Sequence, residues 1–205
     1  MRPKNTPNDK DRRKRILDAA YQILLEDGLS AITARSIARR AEVQVGSVSY
    51  YFASMKDLLL MISERLTKDG LEILKQWAAT CSTKTIINDV AHLIFQQTTT
   101  NRNWAMSSFE LYVKGLRDND FQNISSKNLA ALRDVLARFV PYEEAWVLGA
   151  LADGLILSSL MDREELSVEE IRQRLMLVHP SRIDATEAKS VPHLGRKDPP
   201  RLRRV

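Results

Sequence analysis

The sequence has little cysteine, histidine and glycine, and each shortage excludes a class of protein. One cysteine, Cys81, among 205 residues excludes an internal disulfide framework and a thiolate metal cluster. The three histidines, His92, His179 and His193, do not have the spacing of a metal site. Only seven glycines, and no alternation of apolar and polar residues bounded by turns, argue against a sheet protein. The composition therefore favours an all-α protein without a metal or a disulfide.

Signals for a membrane span or an enzyme are also missing. No N-terminal apolar run resembles a signal peptide, and no stretch approaches the ~18 apolar residues of a spanning helix. The sequence contains no recognisable nucleophile–base pair and no glycine-rich phosphate loop. Hydrophobic residues make up 44% of the chain, which is enough to bury a core. We therefore expect a cytoplasmic protein that is not an enzyme, has no cofactor and has no membrane partner.

The net charge of +5 is unevenly distributed. Residues 1–60 carry 11 Lys and Arg against 7 Asp and Glu, a net +4. Residues 61–179 carry 13 against 16, a net −3, and residues 180–205 carry 7 against 3, a net +4. A positive N-terminal segment is typical of phosphate binding, but a solvated basic arm has the same composition. Charge alone therefore leaves both interpretations open.

Apolar residues at helical spacing predict about nine helices. The first begins at Asp9 and ends at the C-cap glycine, Gly28. The pattern divides the chain into a flexible arm (1–8), a helix-turn-helix domain (9–54), a helical ligand-sensing and dimerisation domain (55–179) and a basic disordered tail (180–205). The remaining helices are predicted near 33–40, 45–51, 55–79, 84–100, 103–117, 121–139, 142–161 and 167–178.

Residues 33–52 have the pattern of a helix-turn-helix. Thr33 is a good N-cap, and Ile37, Ala38 and Ala41 form a narrow apolar face that permits a close helix crossing. The second helix is short and presents small polar and aromatic residues outward, which suits a major groove. A helical hairpin with a tyrosine-rich packing face is the alternative. The outward residues are Gln44, Val45, Gly46, Ser47, Ser49 and Tyr50.

The same region resembles the DNA-binding domain of the TetR/AcrR family. That pattern is T-x-x-x-I-A-x-x-A-G-V followed by G-x-hydrophobic-x-x-[HY]-F-x-S-K-x-x-L, preceded by a helix that ends in glycine. The resemblance implies that Thr33 and the tyrosines contact the DNA backbone while helix 45–51 reads bases. Matching positions are Gly28, Thr33, Ile37, Ala38, Ala41, Val43, Gly46, Val48, Tyr51, Phe52, Ser54 and Leu58. The predicted DNA contacts are Thr33, Arg35, Gln44, Val45, Gly46, Ser47, Ser49, Tyr50, Tyr51 and Lys56.

Three positions depart from the family pattern. Glu42 replaces the glycine between the two helices, so the turn must accommodate a side chain. Ser49 occupies the usual tyrosine position, and Tyr50 follows it. Met55 stands where the family has a phosphate-binding lysine, and the lysine of this chain, Lys56, comes one residue later.

Small residues recur along the predicted helix 142–161 and favour a self-complementary dimer contact. Packing against another helix of the same chain is the alternative. The segment 145–171 resembles the regulatory domain of choline-responsive glycine-betaine repressors. The predicted dimer residues are Ala145, Gly149 and Asp153 on one stripe and Ala150, Gly154 and Ser158 on the next.

A ligand pocket is expected between the middle helices, where aromatic residues recur at helical spacing. Core packing would explain the same aromatics. The resemblance implies a repressor that binds a palindromic DNA operator as a homodimer and is released by an unidentified small molecule. A regulator controlled by a protein partner and a helical interaction scaffold are the alternatives. The candidate ligand contacts are Trp77, His92, Phe95, Trp104, Ser108, Phe109 and Tyr112.

Overall fold

The computed structural model describes residues 10–162 and 165–178. Over these residues the secondary structure is helical, with a short 3-10 turn at Leu29–Ala31, which confirms the predicted all-α class. The predicted arm (1–8) and tail (180–205) lie outside the described residues. The helices are α1 (Lys10–Asp27), α2 (Ala34–Arg40), α3 (Val45–Tyr51), α4 (Met55–Ala78), α5 (Ile86–Thr98), α6 (Arg102–Gly115), α7 (Asn119–Leu136), α8 (Tyr142–Asp162) and α9 (Val168–Met176).

Side-chain caps determine where several helices begin. The Thr33 hydroxyl accepts a hydrogen bond from the Ser36 backbone N–H at 3.1 Å, and the Ser36 hydroxyl oxygen accepts one from the Thr33 N–H at 2.9 Å. The same reciprocal arrangement joins Ser167 and Glu170 at the start of α9. Each cap satisfies backbone donors that have no partner within the helix. Both predicted N-termini are confirmed.

Two hydrophobic cores organise the described residues. The first joins α1, α2, α3 and the first half of α4, and it includes Leu111 of α6 and the fully buried Phe121 of α7. The second joins α5, α8 and α9 and includes Leu136 of α7. Helices α4, α6 and α7 therefore contribute residues to both cores and connect the N-terminal helices to the rest of the helical body, which comprises α4 to α9.

Helix α8 is long and apolar. Among the described residues it is the one helix that is long and apolar enough to span a membrane by length and composition, with a mean hydropathy of 1.4. One face, including Leu148 and Ala152, is buried in the second core. The opposite face leaves Leu157 44% and Met161 74% exposed. A core helix with one buried face has the same length and composition, so this helix alone is weak evidence of a membrane span, and the sequence expectation stays a prediction.

Candidate DNA-binding surface and internal cavity

The turn between α2 and α3 is built without a glycine. Glu42 adopts φ 54°, the left-handed region that a side chain disfavours. The Val43 N–H donates to the Ala38 carbonyl at 3.0 Å and closes the turn against α2. The substitution noted in the sequence is thus accommodated by local strain rather than by a different turn.

Helix α3 is anchored by the buried Val48, and its opposite face is exposed. Val48 points into the N-terminal core, which turns the opposite side of this short helix to solvent. Tyr50 is 63% exposed, and its ring meets that of Tyr51 edge-on at 5.0 Å. A Cβ added at Gly46 would meet nothing within 4 Å, so this surface is open to an approaching partner.

The structure brings most of the predicted DNA contacts to this surface. Five of these residues are exposed: Thr33, Arg35, Gln44, Val45 and Ser49. The half-buried residues beside them are Ser47 and Tyr51. Such a face has hydroxyl, amide and guanidinium donors for phosphates and base edges. These residues stay predicted DNA contacts.

Lys56 is oriented away from this role. Its ammonium lies 2.7 Å from Asp120 and 3.1 Å from Asp118, at the junction of α6 and α7. The hydrogen bonds to Asp120 and Asp118 raise the pKa of Lys56. These two ion pairs join the start of α4 to the junction of α6 and α7. The position of Lys56 in the structure therefore differs from the predicted contact with DNA.

A cavity of about 90 Å³ lies among α4, α5, α6, α7 and α8. Its wall combines apolar side chains with a small set of polar groups, the usual composition of a binding pocket. The polar or aromatic-polar lining residues are Gln97, Trp104, Ser108, Tyr112, Asn128 and Asp153. The others are Gly70, Ile73, Leu74, Leu93, Ile94, Ala105, Phe109, Leu132, Ala152 and Ile156.

Only part of the predicted ligand set lines this cavity. Trp104, Ser108, Phe109 and Tyr112 on α6 do so. The other three, Trp77, His92 and Phe95, are not part of its wall. The reason is helix phase: α5 turns Leu93, Ile94 and Gln97 toward the cavity and the intervening positions elsewhere.

Trp77, His92 and Phe95 lie in different surroundings outside the cavity. The Trp77 indole N–H donates to the Asp89 carbonyl at 3.3 Å and the ring packs on the second core. Phe95 also packs on that core. His92 is exposed. Their predicted role as ligand contacts is not supported by their positions.

The polar centre of the cavity was missed because its members lie on three different helices. Gln97 is on α5, Asn128 on α7 and Asp153 on α8. Asp153 was the one residue whose position in the sequence indicated this polar centre. It lies in an apolar stretch of α8, and a charge there costs free energy unless polar groups surround it. It had been assigned to the dimer face.

Burial dominates the electrostatics of Asp153. Desolvation raises the pKa of its carboxyl to about 6, and the nearby Arg133 charge acts in the opposite direction. Burial also raises the pKa of Tyr112, with the charge of Asp153 contributing. The Tyr112 hydroxyl accepts a hydrogen bond from the Asn128 amide at 2.9 Å. At neutral pH the cavity wall thus carries a negative charge and a neutral phenol.

Three polar atoms of the cavity residues are buried and have no hydrogen-bond partner within the described part of the chain. They are Gln97 Oε1, Trp104 Nε1 and Ser108 Oγ. Buried polar atoms are almost always paired, because an unpaired one costs about 1–3 kcal/mol. The arrangement is therefore suited to a ligand or to water that supplies the missing partners.

The two small-residue stripes of α8 differ in their exposure to solvent. Ala150, Gly154 and Ser158 are exposed, and a Cβ at Gly154 would meet nothing within 4 Å. Ala145 is fully buried, and a Cβ at Gly149 would lie 3.0 Å from Arg133 Cγ. Because Ala145, Gly149 and Asp153 face the interior of the chain, their assignment to a dimer face was wrong, and packing within the chain is correct for them.

Helix α6 connects the cavity to the N-terminal helices. The Ser107 hydroxyl donates to the Leu24 carbonyl of α1 at 2.9 Å. The Glu110 carboxylate accepts from the Leu29 N–H at 2.6 Å, just beyond the glycine that ends α1. The side of α6 that carries Trp104 and Ser108 faces the cavity. One rigid element thus forms a cavity wall and holds α1.

A short exposed helix that follows a capped partner helix, attached to a helical body with an internal cavity, is the arrangement expected of a helix-turn-helix regulator of transcription. Residues 16–62 match the model described as "Bacterial regulatory proteins, tetR family". This match covers the DNA-binding region and makes residues 16–62 a DNA-binding domain of the TetR family. Members of this family are regulators and not enzymes. Among the described residues no group of three His, Cys, Asp or Glu side chains is arranged to hold a metal ion.

Relatives extend the similarity beyond the matched domain. The HTH-type transcriptional regulator PksA of Bacillus subtilis (strain 168) is 26% identical over 190 residues, covering 85% of this chain and 90% of PksA. BetI of Burkholderia pseudomallei (strain K96243) is 27% identical over 174 residues, covering 77% and 86%. The multidrug binding protein EbrR, in a crystal structure with imidazole, shares the fold with a TM-score of 0.70 at 23% identity, covering 84% and 97%. The predicted similarity to the glycine-betaine repressor subgroup is confirmed by BetI.

Proposed function

We propose that this regulator is a cytoplasmic repressor that binds a palindromic operator as a homodimer and is released from it by a small molecule. The observation that carries the proposal is the double role of α6, which lines the cavity and bonds to α1 through Ser107 and Glu110. A ligand that prefers a shifted α6 lowers operator affinity by its differential affinity, typically about 1–3 kcal/mol. EbrR, which shares this fold, is a multidrug binding protein, and this is consistent with an effector site in the fold.

The exposed face of α3 is the proposed reading surface. Two copies of such a helix reach successive major grooves when they lie about 34–36 Å apart. The proposed phosphate contacts are the exposed Thr33 and Arg35 at the start of α2, and the proposed groove contacts are the exposed Gln44, Ser49 and Tyr50. A dimer of this spacing explains why the operator should be a palindrome.

The outer face of α8 is the proposed dimer contact. Ala150 and Gly154 allow close approach, and Trp146, Leu157 and Met161 around them offer apolar area that is exposed in one chain. Leu157→Arg should give a monomer by light scattering, because it places a charge in the buried contact. Leu116→Arg is the matched control, since Leu116 is 81% exposed at the end of α6. A dimer that survives Leu157→Arg contradicts this interface. A monomer of the unmodified chain would instead favour the alternative of a helical interaction scaffold.

Operator release is tested by fluorescence anisotropy on DNA from the flanking intergenic region at several salt concentrations. Native mass spectrometry of the purified protein identifies a co-purifying small molecule, which is then added to the DNA complex. Glu110→Ala should reduce the release caused by that molecule, because the bond from α6 to the end of α1 is lost. Glu143→Ala, an exposed acid in the first turn of α8, should change nothing. A salt-independent affinity would contradict the phosphate contacts.

A second candidate is a regulator controlled by a protein partner. The small size of the cavity favours it, since about 90 Å³ is less than the roughly 150 Å³ that accepts benzene in an engineered core. This candidate predicts operator binding that no small molecule changes and that a co-purifying protein alters.

A further inference from the structure

We infer that the cavity takes a small protonated amine, a ligand with one positive charge and at least one N–H donor. The inference rests on the proposed role of the cavity as an effector site and names the chemical class of that effector. It is argued from the charge of the wall, from the unpaired atoms in it and from its size.

Asp153 carries the one formal charge among the cavity-lining residues. The lining residues of α4 and α5 are uncharged, α6 contributes the phenol of Tyr112, and Arg133 of α7 lies nearby without lining the wall. Within the described residues the Asp153 carboxylate makes no ion pair within 4.0 Å. The Arg133 guanidinium instead lies over the Trp146 ring at 6.0 Å. Asp153 is half-buried, and a desolvated carboxylate without an ion pair is costly, so a cation in the cavity is strongly favoured over a neutral or anionic molecule.

The unpaired atoms specify donors on the ligand. Gln97 is 8% exposed and Ser108 is 4% exposed, and both line the cavity with an oxygen that has no partner in the described chain. An amide oxygen only accepts hydrogen bonds, so its partner must be a donor. A quaternary ammonium has no N–H and leaves both oxygens unpaired, whereas a primary ammonium has three donors. The unpaired Trp104 indole N–H requires an acceptor, such as a hydroxyl or a retained water.

The aromatic wall and the volume set the remaining limits. Trp104, Phe109 and Tyr112 supply rings toward which a cation is attracted. A cavity of about 90 Å³ is smaller than the roughly 150 Å³ that accepts benzene in an engineered core. The ligand therefore has only a few non-hydrogen atoms around its ammonium group.

The test uses the intrinsic tryptophan fluorescence of the full chain without DNA, to which Trp104 in the cavity wall contributes together with Trp77 and Trp146 outside it. The probes are n-propylammonium, tetramethylammonium (a cation without N–H) and 1-propanol (a neutral analogue). We expect saturable binding of n-propylammonium, with the other two probes roughly tenfold weaker or more, because a charge-assisted hydrogen bond contributes about 1.5–3 kcal/mol. Asp153→Asn should weaken n-propylammonium binding by a similar factor. Asp134→Asn, an exposed acid on α7, is the matched control and should bind as the unmodified chain does.

Acidity gives an independent readout. The pKa of Asp153 is raised to about 6 by burial, so lowering the pH from 7.5 to 5.0 protonates most of the carboxylate and should weaken binding about tenfold. An aliphatic amine stays charged over this range because its pKa is near that of lysine, about 10.4. In Asp153→Asn this pH effect should disappear.

Several results would overturn the inference. They are no saturable binding of n-propylammonium (a cavity filled by water only), equal binding of 1-propanol or tetramethylammonium, or unchanged binding in Asp153→Asn. Each leaves the operator experiments untouched, because DNA is absent from the titration. Conversely, operator binding that no molecule releases refutes the proposed function while the amine titration still stands as a measurement of the cavity.

Discussion

Gly70 and Trp104 both line the cavity, and a side chain at Gly70 would collide with the Trp104 indole. A Cβ built on Gly70 of α4 overlaps Trp104 Cζ2 and lies 2.9 Å from Cη2. Carbon atoms in contact prefer a separation of about 3.5–4.0 Å. Gly70→Ala must therefore displace either the indole or α4.

Two effects of Gly70→Ala oppose each other. Replacement of glycine by alanine inside a helix stabilises it by about 1 kcal/mol. Overpacking of a core costs about 1–3 kcal/mol. The net change lies between about 0 and 2 kcal/mol of destabilisation, so the single variant is a weak test.

A double-mutant cycle with Trp104→Phe isolates the clash. The helix-propensity gain is present in both backgrounds and cancels, while the shorter phenylalanine lacks the outer ring that carries Cζ2 and Cη2. We expect Gly70→Ala to destabilise the parent and to stabilise the Trp104→Phe background. The coupling free energy should be about 1–3 kcal/mol.

Urea unfolding followed by far-ultraviolet circular dichroism at one protein concentration measures this coupling. Gly46→Ala is the matched control, because a Cβ there meets nothing within 4 Å. It should stabilise the chain by up to about 1 kcal/mol. If Gly70→Ala stabilises both backgrounds equally, with a coupling below about 0.5 kcal/mol, the packing argument is refuted.

Three further predictions concern single residues. Burial raises the pKa of Asp153 from 3.8 to about 6, so folded-state stability should fall as pH rises from about 4 to 6. Asp153→Asn should remove this loss and stabilise the chain at pH 7 by about 1–3 kcal/mol, with no difference below pH 4, in urea titrations at each pH. Thr33→Ala removes the cap of α2 and should cost about 1 kcal/mol in thermal unfolding, whereas Thr33→Ser should not. Arg35→Ala should reduce the slope of log affinity against log salt by about 0.9, while Lys56→Ala, held by Asp118 and Asp120, should leave it unchanged; equal effects would return Lys56 to the DNA surface.

The order of the helices and the position of the helix-turn-helix were predictable from the sequence. Both rest on local signals: apolar spacing, and the caps at Thr33 and Ser167, whose hydrogen bonds span only three residues. Val48 as buried anchor and Tyr50 as exposed neighbour likewise follow from the phase of one short helix. Local interactions of this kind depend little on what the rest of the chain does.

The direction of a side chain on a long helix packed on several sides was not predictable. The sequence pattern on α8 did not distinguish the two small-residue stripes. Only the packing against α7 and α5 buried Ala145 and turned Asp153 toward the cavity while it left Gly154 exposed. Lys56 was predicted to contact DNA from its place beside the lysine position of the family motif. Its ion-pair partners, Asp118 and Asp120, are 62 and 64 positions away in the chain, so no local pattern indicated them.

The sequence by itself determined an all-α regulator with an N-terminal helix-turn-helix, because periodicity, caps and a motif of about 50 residues are local. Only the tertiary structure decided which residues form the cavity, since Gln97, Ser108, Asn128 and Asp153 converge from four helices. It also placed Glu110 against Leu29, 81 residues apart. Contacts between distant segments depend on how the helices pack together, and a pattern within any one helix carries no record of its neighbours.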